Sequence, residues 1–338
     1  VNGEGRLMVS ILESLGLSSR DRIPTTAGAQ YGRIVIVHGA SADVIWQGDD
    51  GAERSGRCSL AKGLEVTPVA GDWAEILDER VVRVMQRRSE LRRPHPYGRE
   101  PQVMAANIDV VMIVVALNAE LNRRVLESFS IMAHDSGARP VVVATKVDDS
   151  QDVEQFRALV HELVPGVEMI VTSSLTGEGM GSLRSLLSLG VTAVMLGASG
   201  VGKTSLLNSL QGTTEFTRTV GRGGEGRHAT TTRKLYRLAS GGVLLDIPGI
   251  RLLNVVGDQR SLETVFSDID ELALSCRFNN CGHDSDEGCA VQAAVASGEL
   301  SAQRLTTWRE MRDDAVSTER DALSQSRKRP RDARRDAT

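Results

Sequence analysis

Apolar positions change their period twice along the chain. Between residues 29 and 88 they come in short β-type runs: Gly32–His38, Asp43–Trp46, Val66–Pro68, Trp73–Ile76 and Val81–Met85. Turns such as Gly48-Asp49-Asp50-Gly51 and Gly71-Asp72 cut them apart. Short strands at close spacing predict a small β-barrel, with an oligonucleotide-binding (OB) barrel the natural candidate and another small barrel of similar strand count the alternative. Residues 89–107 carry Pro94, Pro96 and Pro101 and read as a basic linker.

Beyond it the runs become continuous. Val110–Leu117, Pro140–Thr145, Glu168–Thr172 and Thr192–Leu196 alternate with amphipathic stretches at Leu121–Asp135, Asp152–Val164 and Gly181–Leu189, and Val243–Asp246 adds one more apolar strand. Alternation of this kind predicts βαβ units around a parallel sheet. From about residue 259 the pattern turns helical, with a charged helix over Ser301–Ser324. The predicted organisation is an arm (1–28), barrel and basic linker (29–104), an α/β domain (105–257), a helical module (258–325) and a basic tail (326–338).

Composition narrows the class. The chain has 338 residues, 41% hydrophobic and 25% charged, which suits a folded protein of two or three domains. Its longest apolar run is too short to cross a bilayer. Val1–Arg6 lacks the charged-then-apolar order of a secretory leader, so the expectation is a cytoplasmic protein with no membrane partner. Net charge is −4, so the molecule as a whole is not a basic nucleic-acid binder. Local clusters differ: seven Arg against Glu90 over Arg80–Arg99, and six basic residues against Asp332 over Arg327–Arg335. Either could contact phosphates or simply be solvated surface. Aromatics make up 3%, which leaves little for base stacking.

The densest chemistry lies at Gly197-Ala198-Ser199-Gly200-Val201-Gly202-Lys203-Thr204, followed by Ser205. This is G-x₄-G-K-[ST] between an apolar strand and a helical run, the context a phosphate-binding loop requires. Glycines let backbone N–H groups turn inward around phosphates, and the helix N-terminus adds partial positive charge. Lys203 is placed to reach the β- and γ-phosphates and Thr204 to bind Mg²⁺. Asp246-Ile247-Pro248-Gly249 ends a strand: Asp246 is suited to Mg²⁺, and the Gly249 N–H to a third phosphate.

Two further strand ends suit a guanine base. Thr145-Lys146-Val147-Asp148 offers a carboxylate that accepts from guanine N1–H and N2–H₂. Adenine would leave that carboxylate unpaired, a penalty that discriminates by roughly 10⁴-fold. The usual motif has Asn where this chain has Thr145, which keeps a hydroxyl but loses the amide. Thr172-Ser173-Ser174 places a backbone N–H near guanine O6. Gly-rich residues 221–232 lie between the phosphate loop and Asp246. Within them Thr231, or its neighbour Thr230, is placed to complete the Mg²⁺ shell, and His228 to orient the attacking water. His228 also reads as a loop residue or an RNA contact. Ile250 occupies the position where many GTPases carry a water-orienting Gln. Slow intrinsic turnover, raised by a partner, is therefore expected.

The base-reading motifs precede the phosphate loop, the reverse of the ordinary order. A parallel sheet permits this, because its strand-end loops converge wherever the chain is cut. Near the C-terminus, Cys276-x₄-Cys281-x-His283-x₅-Cys289 offers three thiolates and an imidazole, a donor set for a structural, tetrahedral Zn²⁺. Cys58 stands apart and reads as barrel core.

Together these features resemble the RsgA/YjeQ family of small-ribosomal-subunit-dependent GTPases. The likeness covers nearly all of residues 30–300. It includes Val66-Thr67-Pro68-Val69-Ala70-Gly71-Asp72, Arg87-Arg88-Ser89-Glu90-Leu91, Ala105–Asp109 and Gly226–Thr231, where Ala229 stands in place of the family's usual Thr. The resemblance implies an OB barrel, a circularly permuted GTPase domain and a zinc-containing helical domain. It also implies late maturation of the small (30S) ribosomal subunit, with GTP hydrolysis stimulated by that subunit; contact with 16S rRNA and a monomeric state are further expectations. Two other readings stay open: a GTP-liganded RNA-binding assembly module with negligible catalysis, and an ATPase. Asp148 separates guanine from adenine. We expect Asp148→Asn to weaken GTP binding and to favour xanthosine triphosphate, measured by calorimetry; equal ATP and GTP affinity in the parent would remove the basis for this assignment.

Overall fold

The computed structural model describes residues 11–17, 26–93, 101–149, 152–211, 234–246, 259–284 and 286–313, with only the backbone described at Lys234, Asp246 and 259–261. A short helix α1 (Ile11–Ser14) precedes five strands: β1 (Gln30–His38), β2 (Ser41–Gln47), β3 (Glu53–Leu60), β4 (Trp73–Leu77) and β5 (Arg80–Val84). They close into a barrel in the order β1-β2-β3-β5-β4, with β1 returning to β4 through Gln30↔Ile76 and Arg33↔Trp73. Gly32 sits at this seam, where a Cβ would stand 2.5 Å from Ile76 Cδ1. Asp78 and Glu79 both take positive φ in the tight β4–β5 turn, the backbone twist a two-residue hairpin favours. Ile34, Val44, Cys58, Ala74, Ile76 and Val81 fill the interior, so Cys58 is indeed core.

Two sequence expectations need correction here. Val66–Pro68 is not a strand but part of the crossing between β3 and β4, where Pro68 has no N–H for a ladder and the Thr67 carbonyl accepts from Arg87 Nη2 at 2.8 Å. The third barrel strand is instead Glu53–Leu60. It carries no apolar run because most of its side chains face outward and Cys58 alone is buried. The supposed linker also has structure: β6 (Glu90–Arg93) and β7 (Gln102–Ala106) form an antiparallel pair. Leu91, Met104, Ala105 and Ala106 pack inward there.

The α/β unit follows as β8 (Val110–Ala116), α2 (Arg123–Asp135), β9 (Arg139–Thr145), α3 (Val153–Leu163), β10 (Glu168–Val171), α4 (Met180–Leu186), β11 (Thr192–Leu196), α5 (Lys203–Gln211), β12 (Lys234–Arg237) and β13 (Val243–Asp246). Its sheet runs β10-β9-β8-β11-β13-β12; all neighbours are parallel except the edge strand β12. Successive residues of a strand point to opposite faces. Val111, Ile113 and Val115 of β8 join one core with α2 and α3, while Val110, Met112 and Val114 join the other with α4 and α5.

The C-terminal helices are α6 (Gln259–Val265), α7 (Ser267–Ala273), α8 (Ala290–Ser297) and α9 (302–313). They extend the α2/α3 core through Leu262, Phe266, Ile269, Val291 and Trp308. Among the described residues no helix is long and apolar enough to cross a membrane.

Three buried cations join the units. Arg33 of β1 is fully buried and stacks 4.9 Å over the Trp73 ring. It donates to Gly71 O (3.2 Å), Asn107 O (3.0 Å), Thr192 Oγ1 (2.9 Å) and Leu15 O, so barrel, α1, connecting segment and the strand of the phosphate loop meet on one guanidinium. Arg87 pairs with buried Asp72 (2.7 Å) and with Glu90 (3.2 Å). Arg304 of α9 pairs with Glu127 of α2 (3.0 Å) and with Asp268 of α7 (2.5 Å).

Glu127 is almost wholly buried, and its Oε2 has no partner among the described residues. Burial pushes its carboxyl up to about 7 against the opposing pull of Arg304. A carboxyl raised in the fold binds a proton that the unfolded chain releases near pH 4.5. Its contribution therefore favours the fold at low pH and is lost as pH rises to about 7, by on the order of 3 kcal/mol. Glu127→Gln should flatten this slope. Urea midpoints of parent and variant at pH 5 and pH 8 should diverge in the variant's favour at pH 8, and parallel pH profiles would refute the assignment.

Candidate nucleotide site and metal centre

Fully buried β11 delivers Gly197 to the C-terminal edge of the sheet. A Cβ there would lie 2.5 Å from the Val114 carbonyl, so the close approach to β8 admits glycine alone. Gly200 and Gly202 adopt φ of 82° and 100°, the left-handed turns that lead the loop into α5. Lys203 opens that helix and folds back over the loop, its Nζ donating to Gly197 O (2.7 Å) and Ala198 O (2.6 Å). Thr204 and Ser205 are exposed on the first turn, and Ala198, Ser199 and Gly200 are exposed in the loop. An ammonium, a helix N-terminus and a glycine turn thus share one open face, the arrangement that holds polyphosphate.

Thr145 ends β9 and is buried, with its Oγ1 2.5 Å from Val201 O and 3.1 Å from Val115 O. One hydroxyl proton serves one carbonyl at a time. The side chain therefore braces the phosphate loop against β8, a role the sequence did not disclose. Lys146 takes a left-handed φ of 62° and turns the chain into a 3₁₀ segment, Val147–Asp149. Asp148 is exposed there, and Asp149 accepts from Asn118 Nδ2 at 2.8 Å. Val147 N–H donates to Thr172 O at 3.3 Å, which ties the two base-side loops together.

Ser173 is fully buried, and its hydroxyl accepts from Leu175 N and Thr176 N, both at 3.1 Å. It shapes the loop, and half-buried Ser174 lies next along it. Gly179 closes the turn, where a Cβ would stand 1.8 Å from Val171 O. A cavity of about 740 Å³ between residues 117–123 and α3, lined by Asn118, Leu121, Asp149 and Phe156, borders the 145–149 loop but none of the phosphate loop.

The backbone of Asp246 ends β13, two strands from β8, so the sheet places it at the same edge as the loops above. His228, Thr230, Thr231, Gly249 and Ile250 lie outside the described residues, as does the basic tail. Among the described residues of the Arg80–Arg99 cluster, five arginines are engaged within the fold: Arg83 pairs with Glu75. Beyond Arg87, Arg88 pairs with Asp109 and Arg92 with Glu90, while Arg93 bonds Gln102.

Cys276, Cys281, His283 and Cys289 converge, with their ligand atoms all within 4.8 Å of one another. His283 Nδ1 lies 3.6 Å from Cys276 Sγ and 3.5 Å from Cys289 Sγ, and the two sulfurs are 3.9 Å apart. A tetrahedral ion with thiolate bonds of roughly 2.3 Å and an imidazole bond of roughly 2.0–2.1 Å has ligand edges of roughly 3.5–3.8 Å, so the four residues fit a metal ion. The His283 ring rests against Trp308 of α9, 5.5 Å between centroids, and its carbonyl accepts from Gln292 Nε2 at 2.7 Å. Sequence reasoning missed Asn118, Arg33, Glu127 and Arg304, whose partners are remote in the chain.

A family model described as RsgA GTPase matches residues 84–256. A Listeria monocytogenes protein named Small ribosomal subunit biogenesis GTPase RsgA 1 is 35% identical over 306 residues, 88% of this chain and 87% of that protein. The chain belongs to the RsgA GTPase family. A Streptomyces avermitilis member, named Small ribosomal subunit biogenesis GTPase RsgA, is 39% identical over 297 residues, covering 84% of this chain and 79% of its own. The crystal structure of YjeQ from Thermotoga maritima aligns with a TM-score of 0.62 at 25% identity, over 85% of this chain and 99% of that one. YloQ, titled a circularly permuted GTPase, shares the fold with a TM-score of 0.60 at 24% identity, over 88% of this chain and 98% of that one. The order of strands and loops described above is that permuted arrangement, and this member of the family is a GTP hydrolase.

The brace at Thr145 yields a direct test. Thr145→Val keeps the shape and removes the proton donor, so GDP and GTP binding should weaken about tenfold, as expected for an unpaired buried carbonyl. Thr145→Ser should stay near the parent. Equal affinities for all three proteins in calorimetry would show that the hydroxyl does not brace the loop.

Proposed function

We propose that this chain hydrolyses GTP to GDP and phosphate in the cytoplasm while bound, as a monomer, to the small (30S) ribosomal subunit, whose late maturation it assists. The observation that carries the reading is the meeting of the Lys203 loop and the Asp148 loop at one sheet edge in a member of this family. Backbone amides of Gly197–Gly202 and the Lys203 ammonium bind the β- and γ-phosphates, with Ala198, Ser199 and Val201 lining the turn and Ser205 continuing it. Asp148 accepts from guanine N1–H and N2–H₂, flanked by Thr145 and Lys146, and the loop of Ser173 and Ser174 presents N–H to O6. Thr204, Asp246 and Thr231 are the residues suited to Mg²⁺, which supplies charge neutralisation between the phosphates when bound. Gly249 senses the third phosphate, and His228 orients water in place of the Gln that Ile250 replaces.

The Cys276/Cys281/His283/Cys289 set holds one structural Zn²⁺, since four filled positions leave none for substrate. The barrel and linker (29–104), the permuted GTPase domain (105–257) and the zinc module (258–325) act as the working units, and 16S rRNA is the surface they meet. Phosphate release titrated with isolated small subunits is the decisive measurement. Turnover should rise at least tenfold, and His228→Ala should lose most of that rise. A flat titration with nucleotide-competent protein would refute the subunit-coupled reading.

A further inference from the structure

Arg304 is 2% exposed, and each donor position of its guanidinium is engaged. Nη1 donates to Glu127 Oε1 (3.0 Å) and to the Leu163 carbonyl (2.9 Å). Nη2 donates to the Val265 carbonyl (2.8 Å) and to Asp268 Oδ1 (2.7 Å), Nε to Asp268 Oδ2 (2.5 Å). The Phe266 ring lies 4.8 Å beneath it.

The acceptors come from elements of one kind. Glu127 is on α2, the first helix after the 117–122 loop whose Asn118 holds Asp149. Leu163 ends α3, the first helix after the 145–149 loop. Val265 ends α6, the first described helix after Asp246. Arg304 itself rides on α9, which one turn later carries Trp308 against His283 and Arg309 onto the His283 carbonyl. Two helices that follow nucleotide-side loops, and the first described helix after Asp246, therefore end or pass at one side chain of the helix that clasps the metal centre.

We propose that Arg304 is the positioning residue through which the nucleotide site and the metal-bearing C-terminal module sense each other, a role that rests on the GTPase reading above. A planar fork spans carboxylates and carbonyls from four elements at once, which a point charge on a flexible stem does not. A displacement of any one helix must therefore be answered by the others or leave a buried charge unpaired, a strongly unfavourable state. Coupling between two sites of this kind typically amounts to 5–150-fold.

The test is hydrogen exchange of the zinc-loaded full chain with GDP or with a non-hydrolysable GTP analogue, alongside calorimetry of both nucleotides. In the parent, amides of 302–313 should differ at least fivefold in protection between the two nucleotides. Arg304→Lys should reduce that difference below twofold while analogue affinity stays within threefold of the parent. Glu127→Gln preserves volume and an acceptor oxygen and removes only the charge of one partner; it should give an intermediate difference and decides the matter if the Lys variant does not fold. A parent-like difference in the folded variants overturns the proposal. So does a parent that binds both nucleotides with equal protection of 302–313. A parent that binds neither strikes the GTPase reading itself, and this one with it.

Discussion

The pairing of β8 with β11 is the contact on which the site depends. Ala193↔Val110 through Leu196↔Ile113 sets the strand of the phosphate loop beside a strand that precedes it by some eighty positions in the chain. Because β9 pairs with the other edge of β8, the 145–149 loop and the 197–204 loop emerge on either side of one strand end. The bridge from Thr145 to Val201 O and Val115 O is possible only in that register. A one-residue slip would turn every β8 side chain to the opposite face and empty both cores at once. The permuted order of motifs costs nothing here, because the sheet is blind to which strand was made first.

Around this sheet, buried cations reinforce the joints that the shared apolar core makes. Arg33 ties barrel, α1 and Thr192, Arg87 ties the barrel crossing to β6, and Arg304 ties the C-terminal helices to α2 and α3. Desolvating a guanidinium is costly, and a buried ion pair adds little net stability over an apolar contact. Its value is directional. A fork that needs several acceptors in fixed places fixes the relative placement of the elements that carry them. Arg33 bonds the residue that opens β11, the strand whose other end leads into the 197–204 turn, so barrel and candidate nucleotide site share a rigid element.

The Cys/His cluster that could hold a metal ion is built differently. Its four residues lie within fourteen positions of one another, and the local chain does most of the positioning: Cys289 caps α8 and His283 takes a left-handed φ of 60°. What the tertiary structure adds is the Trp308 and Arg309 clasp from α9, which makes the local cluster part of the shared core.

The sequence by itself determined the elements whose signal is local. Continuous apolar runs became β8, β9, β11 and β13, the glycine spacing became the tight turn between β11 and α5, and the Cys/His spacing became the cluster. Where the signal is not local, only the fold decided. Strand β3 exposes a polar face and is defined by its neighbours β2 and β5, so no periodicity could mark it. The β6–β7 pair hides behind prolines that lie between its strands. Thr145 reads as a base contact in the motif, yet its hydroxyl answers to a carbonyl fifty-six positions away. Arg87 belongs to a cluster that reads as phosphate contact or solvated surface, and Arg304 to a charged helix, until tertiary packing sets both against buried acceptors from other elements. A hydrogen bond between remote residues leaves no trace in composition or spacing, because its geometry exists only after the sheet has assembled.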